Sequence, residues 1–115
     1  MSYFENKYGR REKVYRRSYY IDNILLTQLE DLSKIYRAKI PDFINDSVEE
    51  LIKTENIELY DKDEGELSIK YTLLVRKSNL KGLEDLNKRY GISLSKLVNI
   101  AIRNLLNSQK HLITN

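Results

Sequence analysis

The 115-residue chain has no cysteine, one proline, one histidine and four glycines. Without thiols there are no disulfides and no thiolate metal sites, which fits a reducing, intracellular compartment. The lone His111 leaves no ligand-spaced histidine cluster. There is no Gly-rich phosphate loop, and no nucleophile lies near a base in sequence. The carboxylates are spread as helix surface charge. An enzyme is therefore not expected, and no cofactor or metal is implied. No apolar run approaches the roughly 18 residues that span a bilayer, so no membrane partner is expected. The polar, charged and aromatic segment 1–17 does not read as a signal peptide. A cytoplasmic, nucleoid-associated protein is the expectation.

What is present describes a globular chain. Hydrophobic residues make up 41% and charged residues 32%, with a net charge of only +3. That balance is too apolar, and too low in net charge, for disorder. The charge is unevenly placed: +4 over residues 1–20, −8 over 21–67 and +7 over 68–115. The two ends attract a polyanion; the middle repels one unless it faces away.

Residues 1–13 carry Tyr3, Phe4, Tyr8, Lys7, Arg10, Arg11 and Lys13 without a helical or strand period. They read as a basic, aromatic arm. Val14 to Ile21 is rich in β-branched and aromatic residues and reads as a strand. Its alternation puts Tyr15, Arg17, Tyr19 and Ile21 on one side, and Arg16, Ser18 and Tyr20 on the other. Asp22 is placed to cap a helix running to about Arg37, with Leu25, Leu29, Leu32 and Tyr36 as its stripe and Leu26 and Ile35 beside it. Pro41 opens a second helix to about Thr54, where its missing N–H has no intrahelical partner to lose. Phe43, Ile44, Ser47, Val48, Leu51 and Ile52 form the expected buried face. Residues 55–67 read as an acidic linker, with Ile57, Leu59 and Tyr60 able to pin it to the body. Ile69 to Val75 is a second strand. Ser78 is placed to cap a helix over Asn79 to Tyr90, with Leu80, Leu83, Leu86 and Tyr90 as its stripe. Gly91 sits where a left-handed helix end is wanted. Ser93 caps a last helix to about Ser108, leaving 109–115 as a loose tail.

The two strand–helix–helix units match without gaps. Leu29-Glu30-Asp31-Leu32 recurs as Leu83-Glu84-Asp85-Leu86, 54 positions later. Leu26/Leu80, Lys34/Lys88, Tyr36/Tyr90, Asn45/Asn99 and Leu51/Leu105 keep the same offset. Such a register predicts an internal duplication over 14–54 and 68–108. A single unit leaves its strand edge unpaired. The expected fold is therefore mostly α, with the two strands paired into one antiparallel β-ribbon and the two repeats sharing a core.

At this point the chain resembles the ribbon-helix-helix family of Arc, MetJ and CopG. The resemblance is most specific in Lys70-Tyr71-Thr72-Leu73-Leu74-Val75, in Tyr90-Gly91-Ile92-Ser93-Leu94-Ser95-Lys96, and in Asn99-Ile100-Ala101-Ile102. It implies that the ribbon enters the DNA major groove and alternate outward side chains touch base edges. Carried over position by position, Lys70, Thr72 and Leu74 face the bases from one strand, and Arg16, Ser18 and Tyr20 from the other. The resemblance also implies a phosphate at the N-terminus of the last helix, on Ser93, Leu94, Ser95 and Lys96. The equivalent positions of the first repeat are Lys39, Ile40, Pro41 and Asp42. Proline offers no N–H there and the aspartate repels phosphate, so Lys39 marks a weakened anchor. Arg10 and Arg11 of the arm are further phosphate contacts. Arg17 departs from the aliphatic residue the family prefers on the inner side, and is expected to reach from the ribbon end towards solvent or phosphate.

The function expected is sequence-specific binding of double-stranded DNA to regulate transcription, as a repressor, with self-association on DNA. The small regulators of plasmids and viruses resemble this arrangement. Two alternatives stay open: an accessory factor in plasmid transfer, replication or partition, and an antitoxin-like protein-interaction module. The short, non-amphipathic C-terminal segment argues against the last.

Overall fold

The computed structural model describes residues 12–59 and 67–113. The elements in order are β1 (Val14–Asp22), α1 (Asn23–Tyr36), α2 (Ile40–Thr54), β2 (Leu67–Arg76), α3 (Lys77–Tyr90) and α4 (Leu94–Ile113). The protein is mostly helical, with one two-stranded antiparallel sheet. Ser18 pairs with Thr72, Arg16 with Leu74 and Tyr20 with Lys70, and the register breaks only between Ile21 and Asp22.

Strand alternation gives the ribbon two different faces. On the inner face Tyr19, Ile21, Leu73 and Val75 are buried. They join a core cluster that takes Leu25 and Leu29 from α1, Ile44 and Val48 from α2, Leu83 and Leu86 from α3, and Leu97 and Ile102 from α4. Burying each such side chain contributes about 1.5–3 kcal/mol, which holds together helices too short to persist alone. On the outer face Arg16, Ser18, Tyr20, Lys70, Thr72 and Leu74 are all exposed.

Buried asparagines clamp the outer edges of the ribbon. Asn45 on α2 donates to the Pro41 carbonyl (3.0 Å) and the Leu74 carbonyl (3.0 Å), and accepts the Arg76 N–H (3.2 Å). Asn99 on α4 donates to the Ser95 carbonyl (2.7 Å) and the Tyr20 carbonyl (2.9 Å), and accepts the Asp22 N–H (3.0 Å). Every partner of Asn99 lies at an offset of 54 from a partner of Asn45. An edge strand needs partners for its unpaired N–H and C=O groups, and these two side chains supply them.

The helix ends correspond in the same way. Arg37 (φ 53) and Gly91 (φ 67) both close their helices in the left-handed region. After them, Ser33 donates its hydroxyl to the Ala38 carbonyl, as Asn87 donates its amide to the Ile92 carbonyl. Gly82 has a packing role instead. A Cβ added there would run into the Ile52 side chain, so glycine lets α3 approach α2 closely.

Several expectations shift. Asp22 makes no side-chain cap. It belongs to β1 and is buried, with Oδ2 3.8 Å from Arg103. Ser78 is not the cap of α3 either: the strand passes directly into a helix starting at Lys77, with Arg76 at the cap. The Ser78 N–H and hydroxyl instead donate to the Glu12 carboxylate, both at 2.8 Å, and the Lys77 N–H donates to the Lys13 carbonyl (2.9 Å). Residues upstream of β1 thus close the start of α3, a long-range cap that local sequence cannot show. Lys39 precedes α2, which begins at Ile40, and Pro41 lies in its first turn as expected. Helix α4 runs on to Ile113 rather than stopping near Ser108. Ile35, Tyr36 and Tyr90 are exposed rather than part of the buried stripes, because the helix ends project past the core. Tyr36 donates its hydroxyl to Gln109 (3.2 Å) and Tyr90 to Glu55 (2.9 Å). Of the linker, Ile57 packs on the core, Leu59 is exposed, and Tyr60 lies outside the described residues.

Candidate nucleic-acid interface

The six outward side chains of the ribbon form three facing pairs, Arg16–Leu74, Ser18–Thr72 and Tyr20–Lys70. At the centre the Ser18 and Thr72 hydroxyls share a hydrogen bond of 2.6 Å. Leu74 is 53% exposed and Tyr20 51%, no more than Ile35 or Tyr36, so what marks them is their place on one face beside Arg16 and Lys70. No acidic residue stands among the six. At about 3.4 Å per residue, Arg16 and Tyr20 lie about 14 Å apart along the strand. With strands about 4.8 Å apart, the face has the width and length that a major groove about 12 Å wide accepts. Arg16 and Lys70 occupy opposite ends of the face, one on each strand.

Arg17 pairs with Leu73 on the inner side by register, yet its side chain is exposed. Its guanidinium donates to the Arg16 carbonyl (2.8 Å) and lies 5.6 Å from the centre of the Tyr15 ring. Arg17 adjoins the central Ser18–Thr72 pair rather than a ribbon end, and its long side chain turns along the strand to solvent from there. Burial raises the pKa of the Tyr19 phenol, with Arg17 pulling it the other way, and burial raises that of Tyr71 as well.

The start of α4 lies beside the edge of β1. The Tyr20 N–H donates to the Ser95 hydroxyl (3.0 Å), which fixes that helix end against one of the outward positions. Ser93 caps α4: its hydroxyl accepts the Lys96 N–H (3.2 Å) and its carbonyl the Leu97 N–H (2.9 Å). Ser93 and Lys96 are exposed, while Leu94 and Ser95 are half-buried. A cleft of about 670 Å³ opens here, lined by Arg17, Tyr20, Ser93, Leu94 and Ser95 on the ribbon and cap side. Glu84 and Asn87 form part of its wall, so an anion entering it meets one carboxylate as well as the helix end.

The corresponding corner of the first half differs. Lys39 is exposed, and its carbonyl accepts the Asp42 N–H (3.1 Å) and the Phe43 N–H (3.3 Å). Pro41 stands where Ser95 stands and has no hydroxyl to hold the strand edge, and Asp42 places a negative charge in the first turn. Arg10 and Arg11 lie outside the described residues.

The residues that position this surface are ones a local reading passes over. Asn45 and Asn99 recur at the common offset inside apolar helix faces, and that recurrence is the signal that could have marked them. Asn79 is fully buried on α3 and donates to the Asn45 carbonyl (3.0 Å) and to Asn45 Oδ1 (3.1 Å). The residue 54 positions before it is Leu25, so the common offset does not announce it. Arg76 joins Glu49 (3.1 Å) and Asp46 (2.6 Å). Burial works against its charge, but these two acids raise its pKa overall. Asp22 moves the other way from an ordinary ion pair: burial raises its pKa and Arg103 only partly offsets that.

Among the described residues no group of acidic or histidine side chains is arranged to hold a metal, and no helix is long and apolar enough to cross a membrane. Comparison with protein-family models, with curated proteins and with solved structures finds no match for this chain.

Proposed function

We propose that this protein binds double-stranded DNA sequence-specifically and regulates transcription as a repressor, in the manner of a ribbon-helix-helix protein whose two repeats lie in one chain. The observation that carries the reading is the exposed ribbon face: three in-register pairs, hydrogen-bonded at the centre, with a cation at each end and helices only on the opposite side. Positions 54 apart face each other at Ser18 and Thr72, and the matched asparagine clamps flank that point. This supports two equivalent units around a pseudo-two-fold axis that share one core.

In this reading Arg16 and Lys70 donate to guanine O6 and N7, Ser18 and Thr72 hydrogen-bond bases at the centre, and Tyr20 and Leu74 pack on thymine methyl groups. The start of α4, with Lys96, holds a phosphate beside Tyr20. Pro41 and Asp42 weaken the equivalent hold in the first repeat. The preferred site is therefore a pair of unequal half-sites, bound in one orientation.

The test is selection of bound duplexes from a random pool, followed by gel-shift titration at rising salt. Enrichment of one asymmetric motif is expected, with affinity falling steeply as salt rises. Failure to retard any duplex at low salt would refute the proposal.

A further inference from the structure

The two ion pairs that flank the asparagine clamps occupy corresponding places but carry opposite signs. At the end of β1 the acid is on the strand and the base on the helix: Asp22 faces Arg103 at 3.8 Å. At the end of β2 the base is on the strand and the acid on the helix: Arg76 faces Glu49 at 3.1 Å. Asp22 and Arg76 are 54 apart, and so are Glu49 and Arg103. Each helix residue follows its clamping asparagine by four, Glu49 after Asn45 and Arg103 after Asn99, so clamp and charge share one helix face.

We infer that this exchanged pair of charges is a pairing code: each repeat accepts a repeat of the other kind and rejects its own. The inference rests on the reading of the two halves as equivalent repeats. If two copies paired like with like, Asp22 of one would meet Glu49 of the other, with Asp46 beside it. The second repeats would bring Arg76 against Arg103. Both arrangements set like charges together at four sites where the unlike pairing sets attraction.

Burial gives the Asp22–Arg103 half of the code its force, whereas the Arg76–Glu49 half is a third or more exposed. The Asp22 and Arg103 side chains are each only 9% exposed, so water and salt screen them little. The placing of Asp22 is not explained by hydrogen bonding of its carboxylate, since Oδ1 is buried without a partner. A charge that burial disfavours, and that makes no cap, is the expected signature of selection against a wrong partner rather than for stability. The consequence is one ribbon per chain, with β1 paired to β2 of the same chain. The two repeats then meet DNA in a fixed order.

The absence of cysteine makes a direct test possible. Ser18 faces Thr72, so like-with-like pairing puts residue 18 of one copy opposite residue 18 of the other. In a glutathione buffer, the full chain with S18C alone is expected to stay free of disulfide-linked dimer, and S18C/T72C to close within the chain. Adding E49R/R103E to S18C makes both unlike contacts repulsive and both like contacts attractive, and covalent dimers are expected. Inverting all four charges with Asp46 neutralised (D22R/D46N/E49R/R76E/R103E), because Asp46 also pairs with Arg76, restores the code with opposite signs and should return the S18C chain to monomer. Covalent dimer in the S18C parent overturns the inference. So does an E49R/R103E chain that stays monomeric with an unchanged urea midpoint. If E49R/R103E does not fold, the four-charge inversion decides: recovery of folding supports the code and continued unfolding overturns it. A failure of S18C/T72C to close within the chain would instead reject the repeat pairing itself. No arm reads DNA binding, so the result is independent of that reading.

Discussion

Replacing Asn99 by Ala removes three hydrogen bonds of unequal weight. The Asp22 N–H, which donates to Asn99 over 3.0 Å, belongs to a residue only 7% exposed. Left without an acceptor, such a group costs about 1–3 kcal/mol. The Tyr20 carbonyl loses a 2.9 Å bond but borders exposed surface, so water replaces part of it and the net loss is about 0.5–1.5 kcal/mol. The Ser95 carbonyl retains its helical N–H partner and contributes little. The sum is about 1.5–4.5 kcal/mol, a large share of the 5–15 kcal/mol typical of a domain. With a urea slope of about 1.5 kcal/mol/M, the unfolding midpoint falls by about 2 M. Urea titration followed by far-UV circular dichroism measures this directly. Asn99→Asp is the control: it keeps an acceptor for Asp22 but sets a second carboxylate beside the first. At neutral pH it should be at least as damaging, and it should recover in acid. A loss under about 1 kcal/mol for Asn99→Ala, with an unchanged slope, would refute the view that this side chain clamps the ribbon edge.

Arg16→Ala or Lys70→Ala should cost about 1–3 kcal/mol on the preferred duplex and relax its sequence preference, whereas Lys96→Ala should weaken all duplexes alike and lower the salt slope by about one. Equal effects from both classes in gel-shift titrations would contradict the division into reading and anchoring. Gly82→Ala should destabilise by about 1–3 kcal/mol by pushing Ile52 out of place, and Ile52→Ala in the same chain should recover part of that in urea titrations. Glu12 accepts the Ser78 N–H and hydroxyl, and these bonds lower its pKa from the ordinary 4.5. Its contribution is therefore complete above the unfolded value and is lost as pH falls through the lower folded one. Thermal unfolding of Glu12→Gln should show a deficit at neutral pH that closes in acid; a deficit constant with pH would remove Glu12 from the cap.

Much of the fold was legible because strands and helices repeat their burial at short range. Alternation separated Arg16, Ser18 and Tyr20 from Tyr19 and Ile21, and the structure exposes the first set and buries the second two. Leucine spacing marked Leu25, Leu29, Leu83 and Leu86 as core, as they are. The same spacing overreached at Tyr36 and Tyr90, because a stripe continues along a helix after the core beneath it has ended. The caps were half legible: Asp22 stands at the N-cap of α1 as expected, but its carboxylate faces Arg103 instead of capping, and Ser78 gives up the cap position to Arg76 and is held by Glu12.

The sequence by itself determined the order and approximate extent of the helices and strands, which side of each is apolar, and which six side chains lie on the outward face. These follow from backbone geometry and the free energy of removing apolar groups from water, both of which act over a few residues. Only the tertiary structure decided that β1 meets β2 with Ser18 opposite Thr72, that Asn45 and Asn99 hold the opposite strand, and that Asp22 and Arg76 meet charges of exchanged sign. Those contacts join positions from 27 to 81 residues apart. Their energies depend on distance and burial in three dimensions, which no local pattern encodes.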